Sequence, residues 1–288
     1  MKRDRFRIVL AGLYVVCLGG VAFLLWQGLE YYGLPLIERP RAEGHAWLKP
    51  GGLLGHSLGI LGSALLMLLF LYSARKRRVL GLRKWKLARW LDIHILFGIM
   101  GPLLITLHSA FKFNGIVSVS YFSMMAVMLS GFVGRYIYIQ IPRDKAGAAL
   151  SRSTIDEYID QLGTLLAGEY KIPPETLAAI DHMAGAPPKG AGSLFRALAA
   201  DIQRPLRARR LRRLLKQRHP EIPDLVIGEI TDVIGRKIIL ERKCATLETA
   251  NAVFHHWHVI HKPFAWVMIL VMIIHVVVVV SMGYTWVF

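Results

Sequence analysis

The chain has 288 residues, 54% of them hydrophobic, with 36 lysines and arginines against 19 acids and a formal net charge of +17. Several apolar runs reach the roughly 20 residues of helix that cross a bilayer, which excludes an ordinary soluble domain. Its two cysteines, Cys17 and Cys244, exclude a disulfide framework, a C-x-x-C-H haem attachment and an iron–sulfur ligand set, so any metal falls to histidine.

Five spans are predicted, at residues 8–32, 53–74, 91–111, 116–140 and 262–287. The first follows the basic lead-in MKRDRFR; its length and the lack of an A-x-A-like site make it a retained anchor rather than a cleaved signal. Residues 75–90 (RKRRVLGLRKWKLARW) hold eight basic residues and no acid. Basic clusters beside spans stay on the cytoplasmic side, which sets an N-in, C-out topology in the cytoplasmic membrane. Orientation and contact with anionic headgroups account for the charge without nucleic acid. The expected fold class is an all-α integral membrane protein with five transmembrane helices and a helical cytoplasmic insertion. Its parts are 1–141 (helices 1–4), 142–254 (insertion) and 255–288 (helix 5).

The insertion reads as helical throughout. Ser153 is expected to cap 154–167, Pro173-Pro174 to open 174–183, and GAPPKGAG (185–192) to form a loop. A helix over 193–217 is interrupted at Pro205, and 224–260 is expected to run into the final span. The segment RPLRARRLRRLLKQRH (204–219) carries leucines at 206, 211, 214 and 215 among arginines. It reads as an amphipathic basic helix lying on the inner leaflet, or as a docking patch for an acidic electron donor.

The histidines carry the chemistry. The third span places His94 near its inner end and His108 near its outer end; the fifth places His261 and His275 likewise, both pairs fourteen residues apart. Fourteen residues turn through about 1400°, some 40° short of four turns, and rise about 21 Å, so each pair shares a face. Both spans run outward, so two bis-histidine sites stack across the bilayer. A flat macrocycle needs little bulk beside its axial ligands, and Gly98 and Gly101 lie between the histidines of the third span, with Pro102 following. Hydrogen bonding to a neighbouring helix is the blander role for such histidines. For HHWHVIH (255–261) a zinc site is a further alternative, although no H-E-x-x-H is present.

This constellation of His94, His108, His261 and His275 resembles the ferric reductase-like transmembrane domain shared by ferric reductases and NADPH oxidases, over residues 1–141 and 255–288. The resemblance implies two b-type haems conducting electrons across the membrane; quinol-oxidising cytochrome b subunits use a similar ligand arrangement. Unlike the family's eukaryotic members, the chain carries no flavin and nicotinamide domain after its fifth span. The implied role is therefore an electron-transfer subunit of a larger oxidoreductase complex. Its partners would be membrane lipid and separate donor and acceptor proteins or a quinone. For the haem propionates the candidates are Arg135 on the inner side and Lys112 on the outer. His56, near the outer end of the second span, is a candidate for a third haem, with His45 as its partner, for a propionate contact or for a quinol-binding base. Tyr136 and Tyr138 read as interfacial belt residues, and His182 and His219 as surface histidines. A haem-handling or export protein is the alternative of a different class.

Overall fold

The computed structural model describes residues 5–81, 86–144, 147–185, 190 and 192–283. Lys2 and Arg3 of the basic lead-in, Arg83 and Lys84 of the basic loop, most of 185–192 and the terminal Phe288 lie outside the described residues. The fold is 81% helix with no strand among the described residues. Five helical stretches are long and apolar enough to cross a membrane: Arg5–Gln27, His45–Lys76, Leu87–His108, Ile116–Gln140 and Leu247–Ser281. The chain divides into two compact units, Met1–Phe132 with Val259–Phe288, and Val133–His258.

In the first unit the predicted first span divides at Gly28 into α1 (Arg5–Gln27) and α2 (Leu29–Gly33). After the short α3 (His45–Leu48), the predicted second span divides at Leu69 into α4 (Leu53–Leu68) and α5 (Phe70–Lys76). The third span is α6 (Leu87–His108), with Pro102 inside it, and the fourth is α7 (Ile116–Gln140), matching its prediction at both ends. Pro102 has no N–H to give the carbonyl of Gly98, and its own carbonyl accepts from the Thr106 hydroxyl at 2.8 Å.

The most extensive helix packing in this unit is α4 on α6, and glycine makes it possible. A Cβ at Gly62 would lie 2.9 Å from the Ile105 side chain and 3.2 Å from the Gly101 carbonyl; one at Gly101 would lie 2.9 Å from Leu66. Small residues facing each other let two backbones approach, and close van der Waals packing is what drives association between apolar helices. Leu66, Met124, Met268, Ile269 and Met272 form a buried cluster that joins α4, α7 and α13 (Leu247–Ser281). The Ser120 hydroxyl donates to the Met268 carbonyl at 2.8 Å within the same contact.

At the end of α6 the chain turns back through Ala110 (φ 47°) and Phe111 (φ 59°), both in the left-handed region. The turn aims the Ala110 carbonyl at Arg39, which is 5% exposed. The guanidinium donates to three carbonyls: Ala110 at 2.6 Å, Tyr32 at 2.7 Å and Leu34 at 2.9 Å. It also lies 5.4 Å from the Tyr31 ring centroid. A planar five-donor fork suits this divergent set of acceptors better than an ammonium does.

The second unit is the predicted helical insertion, built from α8 (Arg152–Gly168), α9 (Pro174–Ala184), α10 (Ser193–Ile202), α11 (Arg204–Arg218) and α12 (Asp224–Ala245), with adjoining parts of α7 and α13. Pro174 opens α9 as expected. Ser151, not Ser153, caps α8: its hydroxyl accepts from the Thr154 N–H at 3.1 Å, the N3 position that a capping oxygen reaches. The interruption near Pro205 falls at Gln203, because the pyrrolidine lacks the N–H that would continue the ladder. The helix after Pro223 does not run unbroken into the last span. It stops at Thr246, and the continuous helix is α13, which passes straight through Pro263.

Two cores hold the unit together, one around Leu166, Ile180, Leu211, Leu215, Ile227 and Ile230, the other around Ile137, Ile155, Cys244, Leu247 and Ala250. Leu211 and Leu215 of the basic helix are thus core residues and Leu214 packs beside them, so of its four leucines only Leu206 is exposed. Asp201 ties the second core together by pairing with Arg242 and accepting from Gln140 at 2.9 Å. His219 is a packed residue rather than a free surface one, bonded to Thr176 at 3.2 Å and Glu221 at 3.2 Å. Tyr136 departs from the belt role in the same way, donating to the Leu194 carbonyl at 3.1 Å.

Replacing Arg39 by alanine strands three carbonyls, two of them beside α2 and one at the end of α6. The expected cost is about 3 kcal/mol of stability, read as a lowered unfolding midpoint of the detergent-solubilised protein. Arg39→Lys should recover less than half of it.

Candidate functional site

An imidazole inside an apolar helix must find a partner for its N–H, since an unmade bond there costs about 1–3 kcal/mol. Three of the four predicted ligands have found one through the same nitrogen. His108 Nδ1 lies 2.8 Å from the Gly55 carbonyl on α4. His94 Nδ1 lies 3.3 Å from the Leu69 carbonyl. His261 Nδ1 lies 2.7 Å from the Ser130 hydroxyl on α7. A carbonyl only accepts, so His94 and His108 carry their proton on Nδ1. The Ser130 hydroxyl donates to the Val127 carbonyl at 2.9 Å, which makes it an acceptor for His261 as well. In each neutral ring the basic lone pair therefore sits on Nε2, the arrangement found when a metal-binding histidine is oriented by a bond from its other nitrogen.

The sequence explains where these acceptors come from. Leu69 stands at the break between α4 and α5, where the i→i+4 ladder is interrupted and Tyr72 rather than Ser73 donates to its carbonyl, at 3.3 Å. A partly released carbonyl is available to His94, and the Tyr72 ring packs 5.1 Å from the imidazole. Around His108 the motif is Gly55-x-x-x-Gly59. A Cβ at Gly59 would fall 2.6 Å from His108 Nδ1 and 2.7 Å from its Cε1, so the imidazole occupies the space a side chain would take. Gly55 itself is held against the backbone of the preceding segment, where a Cβ would meet the Lys49 carbonyl at 2.2 Å.

The carbonyl that holds His108 belongs to α4, which also carries His56, and His275 stands on α13. His275 and His56 are both half-buried. His94 and His261 bond to different groups, the Leu69 carbonyl and the Ser130 hydroxyl. His45, the suggested companion of His56, is instead engaged with the Tyr31 hydroxyl at 3.1 Å.

The accessory residues fare unevenly. Gly98 keeps its space, its nearest neighbour being Leu69 at 4.0 Å, but Gly101 does not: Leu66 fills the room beside it, so that glycine serves the α4–α6 crossing and not a macrocycle. Lys112 is exposed just beyond α6. Arg135 has its guanidinium 5.8 Å from the Tyr138 ring, which Arg143 also approaches, at 4.2 Å. In HHWHVIH, His255 and His256 are exposed and His258 Nδ1 bonds the Phe254 carbonyl at 2.9 Å. Among the described residues no three histidines, cysteines or acids converge as a metal's ligand set.

Ser130, Gly55, Gly59 and the Leu69 carbonyl were missed by reading the sequence for ligands. GHSLG does carry a visible signal, two glycines one turn apart in an apolar helix. A lone serine and a broken helix carry none.

No family model, curated protein or solved structure matches the chain.

Gly59→Ala should lower stability by about 1–3 kcal/mol through overpacking, even though alanine is the better helix former. Introduced on a His108→Ala background the same change should cost at least about 1 kcal/mol less, because the atom it strikes is gone. Unfolding midpoints of the two single variants and the double variant measure the difference; strictly additive midpoints would separate Gly59 from His108.

Proposed function

We propose that this protein is the haem-bearing membrane subunit of a redox complex, with His94 and His261 holding one b haem and His108 and His275 the other. The observation that carries the reading is the shared anchoring of three imidazoles through Nδ1, which in His94 and His108 puts the lone pair on Nε2, the nitrogen that would ligate iron. A b haem supplies one-electron carriage by cycling between ferric and ferrous iron. The chain would supply the ligands, three of them oriented by a bond through Nδ1, and the fourteen-residue register that sets one site above the other.

The N-in, C-out topology in the cytoplasmic membrane belongs to the same reading and is supported by the basic clusters at residues 1–7 and 75–90. So does the likeness to the ferric reductase-like transmembrane domain, which rests on the four histidines. Separate donor and acceptor molecules belong to the same reading.

A second reading keeps the membrane subunit but has it react with a quinone, His56, half-buried on the helix whose Gly55 carbonyl holds His108, being the candidate group.

Protein purified from cells supplied with excess haem should carry about two b haems per chain by pyridine haemochrome assay. His94→Ala and His261→Ala should each lose the same one, and His108→Ala and His275→Ala the other. A colourless protein, or four variants with unchanged haem, would overturn the proposal. Haem held well below one per chain and shed during purification would point to haem handling instead.

A further inference from the structure

The helix pair α10 and α11 has a second apolar face that its own core does not use. Backbone bonds run through the seam, from Gln203 N–H to the Ala199 carbonyl at 3.1 Å and from Arg207 N–H to the Gln203 carbonyl at 3.0 Å, so the two helices keep one register. Leu194, Ala197, Leu211 and Leu215 lie on one half of this cylinder and are buried. On the opposite half, Phe195 is 79% exposed, Leu198 39%, Ile202 70% and Leu206 55%. At 100° per residue these four, followed by Arg209, Arg210 and Arg213, lie within about 60° of one line. The three arginines are exposed. The stripe is thus apolar in its first half and cationic in its second, over about 27 Å of helix.

We propose that this face binds the anionic headgroup surface of a bilayer, Phe195, Leu198, Ile202 and Leu206 entering the interface and Arg209, Arg210 and Arg213 pairing with lipid phosphates. A row of large apolar side chains running into arginines is what an interfacial helix presents to acidic lipid, and guanidinium is the cation that bonds phosphate through two nitrogens. The chain enters this unit from α7 and leaves it through α13, both apolar enough to span a membrane. That tether keeps a lipid surface at an effective concentration no soluble partner can match, and this decides the occupant in favour of lipid over an acidic protein. The inference corrects the leucine face read from the sequence, since Leu211 and Leu215 are in the core. It rests on membrane insertion and is independent of haem.

The test uses the full chain, with Cys17 and Cys244 replaced by serine, reconstituted into vesicles of neutral phosphatidylcholine with or without about a third phosphatidylglycerol. Spin labels are placed singly at positions 195 and 202, at Glu229 on the exposed side of α12, and at Val277 of the last span. In anionic vesicles the labels at 195 and 202 should favour dissolved oxygen over a water-soluble nickel relaxant by at least tenfold relative to the label at 229. Arg209→Glu, Arg210→Glu and Arg213→Glu together, or neutral lipid, should abolish the difference. Labels at 195 and 202 as wet as the one at 229 in every lipid would overturn the inference, as would protection that appears only when two copies associate. Protection indifferent to both lipid charge and the three arginines would also overturn it. Should the label at 277 prove water-exposed, membrane insertion itself fails.

Discussion

The demand of a buried imidazole for a partner shapes the membrane-type unit of this protein. In an apolar helix no water answers the N–H, and His94, His108 and His261 are each met by a neighbouring segment, two of them by backbone carbonyls. Gly55 and Gly59 strip the side chains from one face of α4, and the His108 ring settles onto that bare backbone with its N–H on the Gly55 carbonyl. Leu69 supplies His94 from the break between α4 and α5. Both solutions draw on backbone carbonyls of one neighbouring stretch, 55–69, and both fix the ring tautomer as well as the ring position.

On the proposed reading, fixing the tautomer is what joins packing to function. A histidine bonded through Nε2 would turn its lone pair toward its own helix; bonded through Nδ1 it presents the far nitrogen outward, where a metal can be met. The same α4–α6 crossing then has two uses. Gly62 and Gly101 bring the backbones close, and that closeness puts Gly55 and Gly59 within reach of His108. Arg39 holds the end of α6 next to this contact by gathering three carbonyls. A change at any of these positions should therefore be felt at the imidazole.

Much of the architecture was legible in the sequence, for identifiable reasons. Span length and apolarity are local properties, so residues 116–140 were bounded correctly, and the all-helical insertion followed from its capping and proline signals. The fourteen-residue histidine spacing was legible because helical geometry converts a count directly into a face. What escaped was whatever depends on a neighbour. Gly101 looked like room for a ring, but only the position of Leu66 shows that the room is taken. Ser130 is one serine among several until His261 is seen beside it. The breaks at Leu69 and Thr246 have no proline or glycine to announce them. In α11 the basic amphipathic pattern was legible, but its leucines divide, Leu211 and Leu215 packing into the core with α12 and α9 while Leu206 faces outward, and the outward row beginning at Phe195 came to light only once Leu194 and Ala197 were seen to be buried.

The central claim is that pairs of these imidazoles grip iron from opposite sides. Low-temperature electron paramagnetic resonance of the oxidised, purified protein tests it most directly. The account predicts two low-spin ferric signals with the g-anisotropy of bis-imidazole ligation, one of which disappears in His108→Ala while the other persists. A spectrum with no low-spin ferric iron, or one in which the His108 variant leaves both signals untouched, would contradict it.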